Sequence, residues 1–166
     1  MNEIRSKEQF HQCNAASAWM SVVRTYQCCT RQYERMLGEL GLTIAQFDVL
    51  VSIQRLGDEA LPKNIAETLL VTRSNITPVL QRLRQRGLVE LRRHPKDGRA
   101  RIAQLTALGG QELSRALPAA KRFVEAQMAP FSADDIRTTQ RLMDRMHRHL
   151  LSLNPVDISR QGNHAS

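Results

Sequence analysis

Residues 72–87, in the middle of the chain, constrain the fold more than any other stretch. Their apolar side chains recur at spacings of three and four, which is one face of a helix, at Ile76, Val79, Leu80 and Leu83. Thr72 suits the N-cap of such a helix, and Gly87 suits its C-terminal stop. The opposite face is polar and edged by arginine: Arg73, Ser74, Asn75, Thr77, Pro78, Gln81, Arg82, Arg84 and Gln85. This pattern has the shape and charge needed to enter a DNA major groove, although a solvated surface helix would show it as well.

The segments on either side of this helix complete a larger motif. Residues 62–70 predict a short helix with Pro62 near its start. Residues 88–93 and 101–105 are β-prone, and the stretch between them is turn-rich and basic, so together they predict a hairpin with a long tip. Helix, tight turn, helix and basic hairpin is the order of a winged helix-turn-helix.

The net charge of +8 is concentrated in this motif. Residues 1–61 hold six Lys/Arg against seven Asp/Glu, residues 62–101 hold ten against three, and residues 102–166 hold eight against six. Basic patches supply the sequence-independent part of nucleic-acid affinity, whereas a generic basic surface would spread its charge evenly. The distribution therefore favours a nucleic-acid partner for the middle segment.

Long helices are predicted on both sides of the motif. Residues 4–40 form the first, with an apolar stripe at Trp19, Val22, Tyr26, Cys29, Tyr33, Met36 and Leu40. A second helix begins at Thr43, which makes a capping-box pattern with Gln46. After the hairpin, residues 106–128 predict a helix that Pro118 should kink or divide. The last helix covers residues 132–151, with a stripe at Ile136, Thr139, Met143, Met146, Leu150 and Leu153.

These terminal helices are too long to be covered by a small DNA-reading core. Their stripes would lie in water in a monomer, and exposed apolar area of that extent usually marks an interface. We therefore predict a two-fold homodimer in which the first and last helices of both copies pack together. Such a dimer presents two DNA readers at a fixed spacing, which matches a pseudo-palindromic operator.

Several other classes of protein are disfavoured. No apolar run is long enough to cross a membrane, the N-terminus lacks a signal-peptide pattern, and Cys13, Cys28 and Cys29 make no disulfide framework, so we expect a cytoplasmic protein. His147 and His149 fall on different faces of a helix, so no metal site is predicted. No catalytic constellation or phosphate loop is present, so we expect neither an enzyme nor a cofactor.

Five short motifs occur in order, at residues 41–50 (GLTIAQFDVL), 65–77 (IAETLLVTRSNIT), 82–89 (RLRQRGLV), 97–99 (DGR) and 105–109 (LTALG). They resemble the MarR family of bacterial transcription regulators. The resemblance implies a mainly α fold, a winged helix-turn-helix with long N- and C-terminal dimerisation helices and a two-stranded β-wing. The implied domains are residues 1–41 and 106–153 for dimerisation and residues 42–105 for DNA binding, with a disordered tail over residues 154–166.

The resemblance also implies roles for individual residues. The helix over residues 72–86 would be the recognition helix, and Arg99 of the wing would enter the minor groove, oriented by Asp97. The predicted DNA-binding residues are Lys63, Arg73, Ser74, Asn75, Thr77, Pro78, Gln81, Arg82, Asp97 and Arg99. Between the two wing residues the family often has a second arginine, where this chain has Gly98.

The implied function is a homodimeric repressor released by a small aromatic or phenolic ligand. Trp19, Met20, Arg24 and Asp48 are candidates to line the ligand cavity, although for Trp19 a plain core position is favoured over a ligand contact. A non-specific architectural DNA- or RNA-binding module is a second hypothesis, although the amides of Asn75 and Gln81 favour base reading. A cysteine-based redox-sensing regulator is a third. Pro78 resembles a branch of the family that senses organic hydroperoxides, but that branch places its reactive cysteine where this chain has Trp19, so peroxide sensing is not transferred.

Overall fold

The structure, a computed structural model, describes residues 14–95 and 97–156. Over these residues the chain forms six α-helices and two β-strands. In chain order they are α1 (Ala15–Glu39), α2 (Ile44–Leu56), α3 (Pro62–Thr68), α4 (Arg73–Gln85), β1 (Val89–Arg93), β2 (Arg101–Leu105), α5 (Ala107–Met128) and α6 (Ala133–Ser152). The predicted mainly α fold with a two-stranded wing is confirmed.

The start of the predicted first helix, including Cys13, and most of the predicted disordered tail lie outside the described residues. The chain divides into two compact units, Met1–Lys121 and Arg122–Ser166. The division falls within α5, and the domain boundaries expected from the sequence stay a prediction.

Capping side chains define where the helices begin. At α2 the Gln46 N–H donates to Thr43 Oγ1 over 3.2 Å, and the Thr43 N–H donates to Gln46 Oε1 over 3.1 Å, so the predicted capping box is confirmed. Ser132 and Asp135 form the same arrangement at α6. The hydrogen bonds from the Ser132 hydroxyl and then from its N–H lower the pKa of the Asp135 carboxyl.

One hydrophobic core holds the first unit together. Its most deeply buried large side chains come from α1, α2, α3, α4 and α5: Leu37, Val49, Leu50, Ile65, Leu83 and Leu113. The Ala103 N–H of β2 also donates to the Ala60 carbonyl over 2.9 Å, which ties the hairpin to the turn before α3. Because Ile76, Leu80 and Leu83 of α4 are buried in this core, the polar face of α4 is directed outward.

Gly87 ends α4 as predicted. It has a φ of +70°, its N–H donates to the Arg84 carbonyl, and the next N–H, of Leu88, donates to the Leu83 carbonyl over 3.0 Å. This is the hydrogen-bonding pattern of a helix stop with a left-handed residue. The chain then enters the wing, where β1 and β2 pair antiparallel from Val89↔Leu105 to Arg93↔Arg101.

Two local predictions require correction. Thr72 occupies the N-cap position of α4, but its hydroxyl contacts the side chains of Ser74 and Asn75 and makes no capping hydrogen bond. Pro118 does not divide α5, which is continuous over Ala107–Met128, while the alternative outcome, a kink, stays a prediction. Loss of one helical hydrogen bond is tolerated there because Leu113, Ala116 and Ala120, on both sides of the proline, are buried.

The predicted apolar stripe of α6 is exposed apart from half-buried Met146, whereas on α1 only Trp19 and Tyr26 of the predicted stripe are exposed and the others are half-buried. In α6 no residue is buried, and the exposed side chains include Ile136, Met143, Leu150 and Leu153. Trp19 on α1 is 53% exposed, so the expectation that it is plain core is wrong for the single chain. The periodicity predicted which residues share a helix face, but it does not show whether this chain or another molecule buries that face.

Candidate nucleic-acid interface

A groove of about 700 Å³ lies between the start of α3, the outer face of α4 and the wing. It is lined by Leu61, Pro62, Lys63, Arg73, Thr77, Leu80, Gln81, Arg84, Gln85, Leu91, Asp97, Arg99, Ala100 and Arg101. Six residues predicted to bind DNA therefore meet on one surface: Lys63, Arg73, Thr77, Gln81, Asp97 and Arg99. The other four, Ser74, Asn75, Pro78 and Arg82, are exposed on α4 but do not line the groove.

The groove carries a strong excess of positive charge. Its five cationic residues are Lys63, Arg73, Arg84, Arg99 and Arg101, against one carboxylate, Asp97. Lys63 forms an exposed pair with Glu67 at 3.6 Å, which contributes little to stability. Over residues 14–95 and 97–156, no carboxylate forms a salt bridge with Arg73, Arg84 or Arg99. Arginines left unpaired in a concave surface attract a polyanion such as the DNA backbone.

Not every arginine of the basic segment contributes to this surface. Arg86 Nη1 donates to the Gly41 carbonyl over 2.9 Å and to Gln46 Oε1 over 3.1 Å. These bonds fasten the end of α4 to the turn between α1 and α2. Arg86 therefore has a structural role, which the charge count alone did not reveal.

The wing tip is ordered by hydrogen bonds to its backbone. Asp97 Oδ1 accepts from the Arg99 N–H over 2.9 Å, so the aspartate positions the main chain of Arg99. The Asp97 N–H in turn donates to His94 Nδ1 over 3.1 Å. Arg101, at the start of β2, donates from Nη1 to the carbonyls of Gly98 and Ala100.

Arg84 and Arg101 are groove residues that were not among the predicted DNA contacts. Arg84 was recognised as flanking the polar face of the helix, so its helical spacing was a usable signal. Arg101 begins a strand, and nothing in the sequence indicates that its side chain turns back to the loop before it.

Three of the four candidate ligand residues are exposed in the single chain. Trp19, Met20 and Arg24 are exposed on α1, and Asp48 is half-buried on α2. Burial raises the pKa of the Asp48 carboxyl. Burial, followed by the charges of Asp48 and Cys29, raises the pKa of the Tyr33 hydroxyl. No closed cavity around the four candidates follows from these exposures, and the ligand site stays a prediction.

Other kinds of site find little support in the described part of the chain. No group of three or more His, Cys, Asp or Glu side chains among these residues could hold a metal ion. Cys28 is exposed and Cys29 half-buried, and neither forms a disulfide within the described residues. No single described helix is long and apolar enough to span a membrane; α1 and the segment Ile44–Glu59 reach that length only together, across a bend of 78°.

Comparison with known proteins shows what the DNA-binding motif resembles. Residues 40–100 match the MarR family model, and this stretch contains α2, α3, α4 and the wing tip. Over this stretch the chain is similar to the MarR family. It is 28% identical to the HTH-type transcriptional regulator PecS of Dickeya dadantii (strain 3937) over 126 residues, 74% of this chain and 75% of PecS.

Solved structures show the same similarity. The chain is similar to the M. tuberculosis transcriptional regulator MOSR in complex with DNA, with a TM-score of 0.67, 25% identity, and coverage of 81% of this chain and 96% of that one. It shares its fold with Bordetella bronchiseptica BpsR, whose DNA binding is regulated by 6-hydroxynicotinic acid, with a TM-score of 0.70, 20% identity and coverage of 79% and 98%. The predicted winged-helix fold and the class of DNA-binding transcription regulator are thus confirmed.

Proposed function

We propose that this protein is a MarR-type, sequence-specific repressor that acts as a cytoplasmic homodimer and releases its operator when a small aromatic ligand binds. The observation that supports DNA binding most strongly is the groove between α4 and the wing, with Arg73, Arg84 and Arg99 free of salt bridges among the described residues. The proposal includes no enzymatic activity and no cofactor.

The groove suggests how a duplex would lie on the protein. The exposed face of α4, with Asn75 and Gln81, would enter the major groove, where side-chain amides can read adenine. Arg99 would reach the neighbouring minor groove from the wing. The sugar-phosphate strand between the two grooves of the duplex would then pass along Lys63, Arg73 and Arg84, which line the 700 Å³ cleft.

A second copy of the chain is proposed to cover the exposed apolar stripes. Tyr26 on α1 is 70% exposed and Leu150 on α6 is 51% exposed, and both lie on predicted stripes. Covering such side chains is favourable at roughly 25 cal/mol for each Å² of apolar area removed from water. A two-fold arrangement would present two copies of α4 to a pseudo-palindromic operator.

The effector part of the proposal is supported by BpsR, which responds to a hydroxylated aromatic acid. In this chain the candidate residues are Trp19, Met20, Arg24 and Asp48. The Arg24 guanidinium offers a counter-charge for a ligand carboxylate, and Trp19 offers an aromatic face. Their exposure in the single chain is compatible with a cavity that a second copy completes.

The second hypothesis, a non-specific DNA- or RNA-binding module, would use the same arginine-lined groove. The two hypotheses differ in what the outer face of α4 does. Charge alone binds any duplex, whereas exposed Asn75 and Gln81 add groups that distinguish bases. A protein that prefers no sequence over another would support the second hypothesis.

Arg99→Ala should weaken operator binding and leave the fold unchanged. Arg99 is exposed, and only its backbone N–H, which alanine retains, donates within the wing. The expected loss is about 1–3 kcal/mol in fluorescence-anisotropy titrations with a duplex selected by the wild-type protein from a random pool. Arg93→Ala is the matched control, because Arg93 is an exposed wing arginine that does not line the groove. Equal dissociation constants for wild type and Arg99→Ala would refute the role given to the wing.

Pro78→Ala should change sequence preference and not stability. Pro78 is exposed within the continuous helix α4, where it leaves the Ser74 carbonyl without its helical partner. Alanine restores that hydrogen bond, which stabilises the fold. It also increases the conformational entropy of the unfolded chain, which offsets part of the gain, so the melting temperature should stay the same or rise. Binding to the selected duplex should fall, while binding to a scrambled duplex stays the same.

Pro118→Ala is the control. It also removes an exposed proline from the interior of a helix, but that helix, α5, does not line the groove. It should leave both affinities unchanged. A large drop in the melting temperature of Pro78→Ala, with an unchanged ratio of the two affinities, would show that Pro78 is structural.

A further inference from the structure

Arg101 makes contacts that distinguish it from the other wing arginines. It is half-buried at the start of β2, and its guanidinium donates to two carbonyls of the preceding loop. The bond from Nη1 to the Gly98 oxygen is 3.0 Å, and the bond to the Ala100 oxygen is 3.2 Å. Arg93, its cross-strand partner in the hairpin, is exposed and makes no such bond.

The two acceptors of Arg101 flank the residue that we place in the minor groove. The peptide unit joining Gly98 to Arg99 is held at both of its polar atoms. Its carbonyl oxygen accepts from Arg101, and its N–H, that of Arg99, donates to Asp97 Oδ1 over 2.9 Å. A peptide plane fixed at both ends restricts the directions in which the following side chain can leave the main chain.

This loop needs such support because Gly98 lies at its tip. Glycine has the widest choice of backbone angles, so an unsupported Asp97-Gly98-Arg99 turn would sample many conformations. Ordering the turn only when DNA binds would reduce the affinity by the entropy lost at that moment. A turn already ordered in the free protein avoids that loss.

We propose that Arg101 is a positioning residue, which fixes the Gly98–Arg99 peptide so that Arg99 is directed toward the minor groove before DNA binds. The inference rests on the proposed DNA-binding function and adds a residue that acts through Arg99. It differs from a simple phosphate contact, in which Arg101 would contribute only its charge. Both roles predict weaker binding on removal of Arg101, so loss of affinity alone does not distinguish them.

A double-mutant cycle separates the two roles. The variants are Arg99→Ala, Arg101→Met and the combination, titrated with the duplex that the wild-type protein selects from a random pool. If Arg101 acts by positioning Arg99, Arg101→Met should lose about tenfold in affinity, and the double variant should bind no more than about twofold worse than Arg99→Ala alone. If the residues act independently, the two losses should multiply.

Arg93→Met is the matched control, because it removes one charge from the same hairpin without removing a loop hydrogen bond. Its effect should multiply with that of Arg99→Ala. Arg101→Lys restores the charge, but a flexible ammonium is a poor substitute for a planar guanidinium aimed at two carbonyls. It should recover the salt dependence of binding while leaving most of the affinity loss.

A measurement without DNA tests the ordering of the loop directly. Hydrogen exchange of the Arg99 amide, followed by NMR in the full-length free protein, should speed up at least about fivefold in Arg101→Met and stay unchanged in Arg93→Met. Multiplicative losses in the cycle, or unchanged exchange at Arg99, would overturn the positioning role while leaving DNA binding intact. Failure of the wild-type protein to select any duplex would instead overturn the proposed function, and with it the purpose assigned to Arg101.

Discussion

Gly109→Ala should destabilise the winged helix by about 3 kcal/mol or more, because there is no room for a side chain at this position. A Cβ built on Gly109 would lie 1.9 Å from the Leu88 carbonyl oxygen and 2.9 Å from its carbon. Both are backbone atoms at the start of the hairpin, so no side-chain rotation relieves the overlap. The start of α5 would have to move away from the hairpin.

Hydrogen bonds at the same junction oppose that movement. Thr106 Oγ1 donates to the Gly87 carbonyl over 2.6 Å and accepts from the Gly109 N–H over 3.0 Å, while the Thr106 N–H donates to the Leu88 carbonyl. Moving α5 outward would strain all three bonds. The substitution therefore combines steric overlap with the weakening of hydrogen bonds that satisfy backbone groups at this junction.

Gly110→Ala is the control, since it is the next residue of the same helix and its added Cβ would meet no atom within 4 Å. Alanine there should be neutral or stabilise by up to about 1 kcal/mol through helix propensity. Urea denaturation followed by circular dichroism measures both variants. Free energies of unfolding that agree within about 0.5 kcal/mol would contradict the close contact.

Met143→Lys should dissociate the proposed homodimer. Met143 lies on the apolar stripe of α6 and is 39% exposed, so a second copy would bury it. In a two-fold interface one substitution places an unpaired ammonium in each copy, and burying such a charge costs several kcal/mol. The dissociation constant of the dimer should rise at least about 100-fold.

Sedimentation equilibrium at several protein concentrations measures this effect, with circular dichroism to check the helices. Thr138→Lys adds the same charge to the opposite, exposed side of α6 and should leave association unchanged. Operator affinity should fall together with dimerisation, because a monomer engages one half-site at a time. A wild-type protein that is monomeric, or a Met143→Lys variant that associates as the wild type does, would contradict the dimer.

Local sequence signals predicted most of the fold. The Thr43 and Gln46 pair marked the start of α2, and Gly87 marked the end of α4, because capping and left-handed stops depend on a few neighbouring residues. The buried face of α4 followed from the spacing of Ile76, Leu80 and Leu83. Helical spacing and the family resemblance together also predicted six of the fourteen residues that line the groove.

The errors arose where distant parts of the chain meet. The periodicity of α1 could not show that Trp19 is exposed in the single chain, because a stripe looks the same whichever molecule covers it. The proximity of Gly109 to Leu88 depends on how α5 meets the hairpin. The bonds from Arg101 to the loop carbonyls follow no periodic pattern, so they required coordinates.

The outer face of α4 and the wing are proposed to read DNA sequence. The most direct test is a competition titration of the wild-type protein with a duplex selected from a random pool and with its scrambled counterpart, at several salt concentrations. We predict a selected site made of two inverted half-sites, bound at least about 1,000-fold more tightly than the scrambled duplex at physiological salt. Equal affinities for the two duplexes, falling with salt along the same slope, would contradict the account and support a non-specific nucleic-acid-binding module.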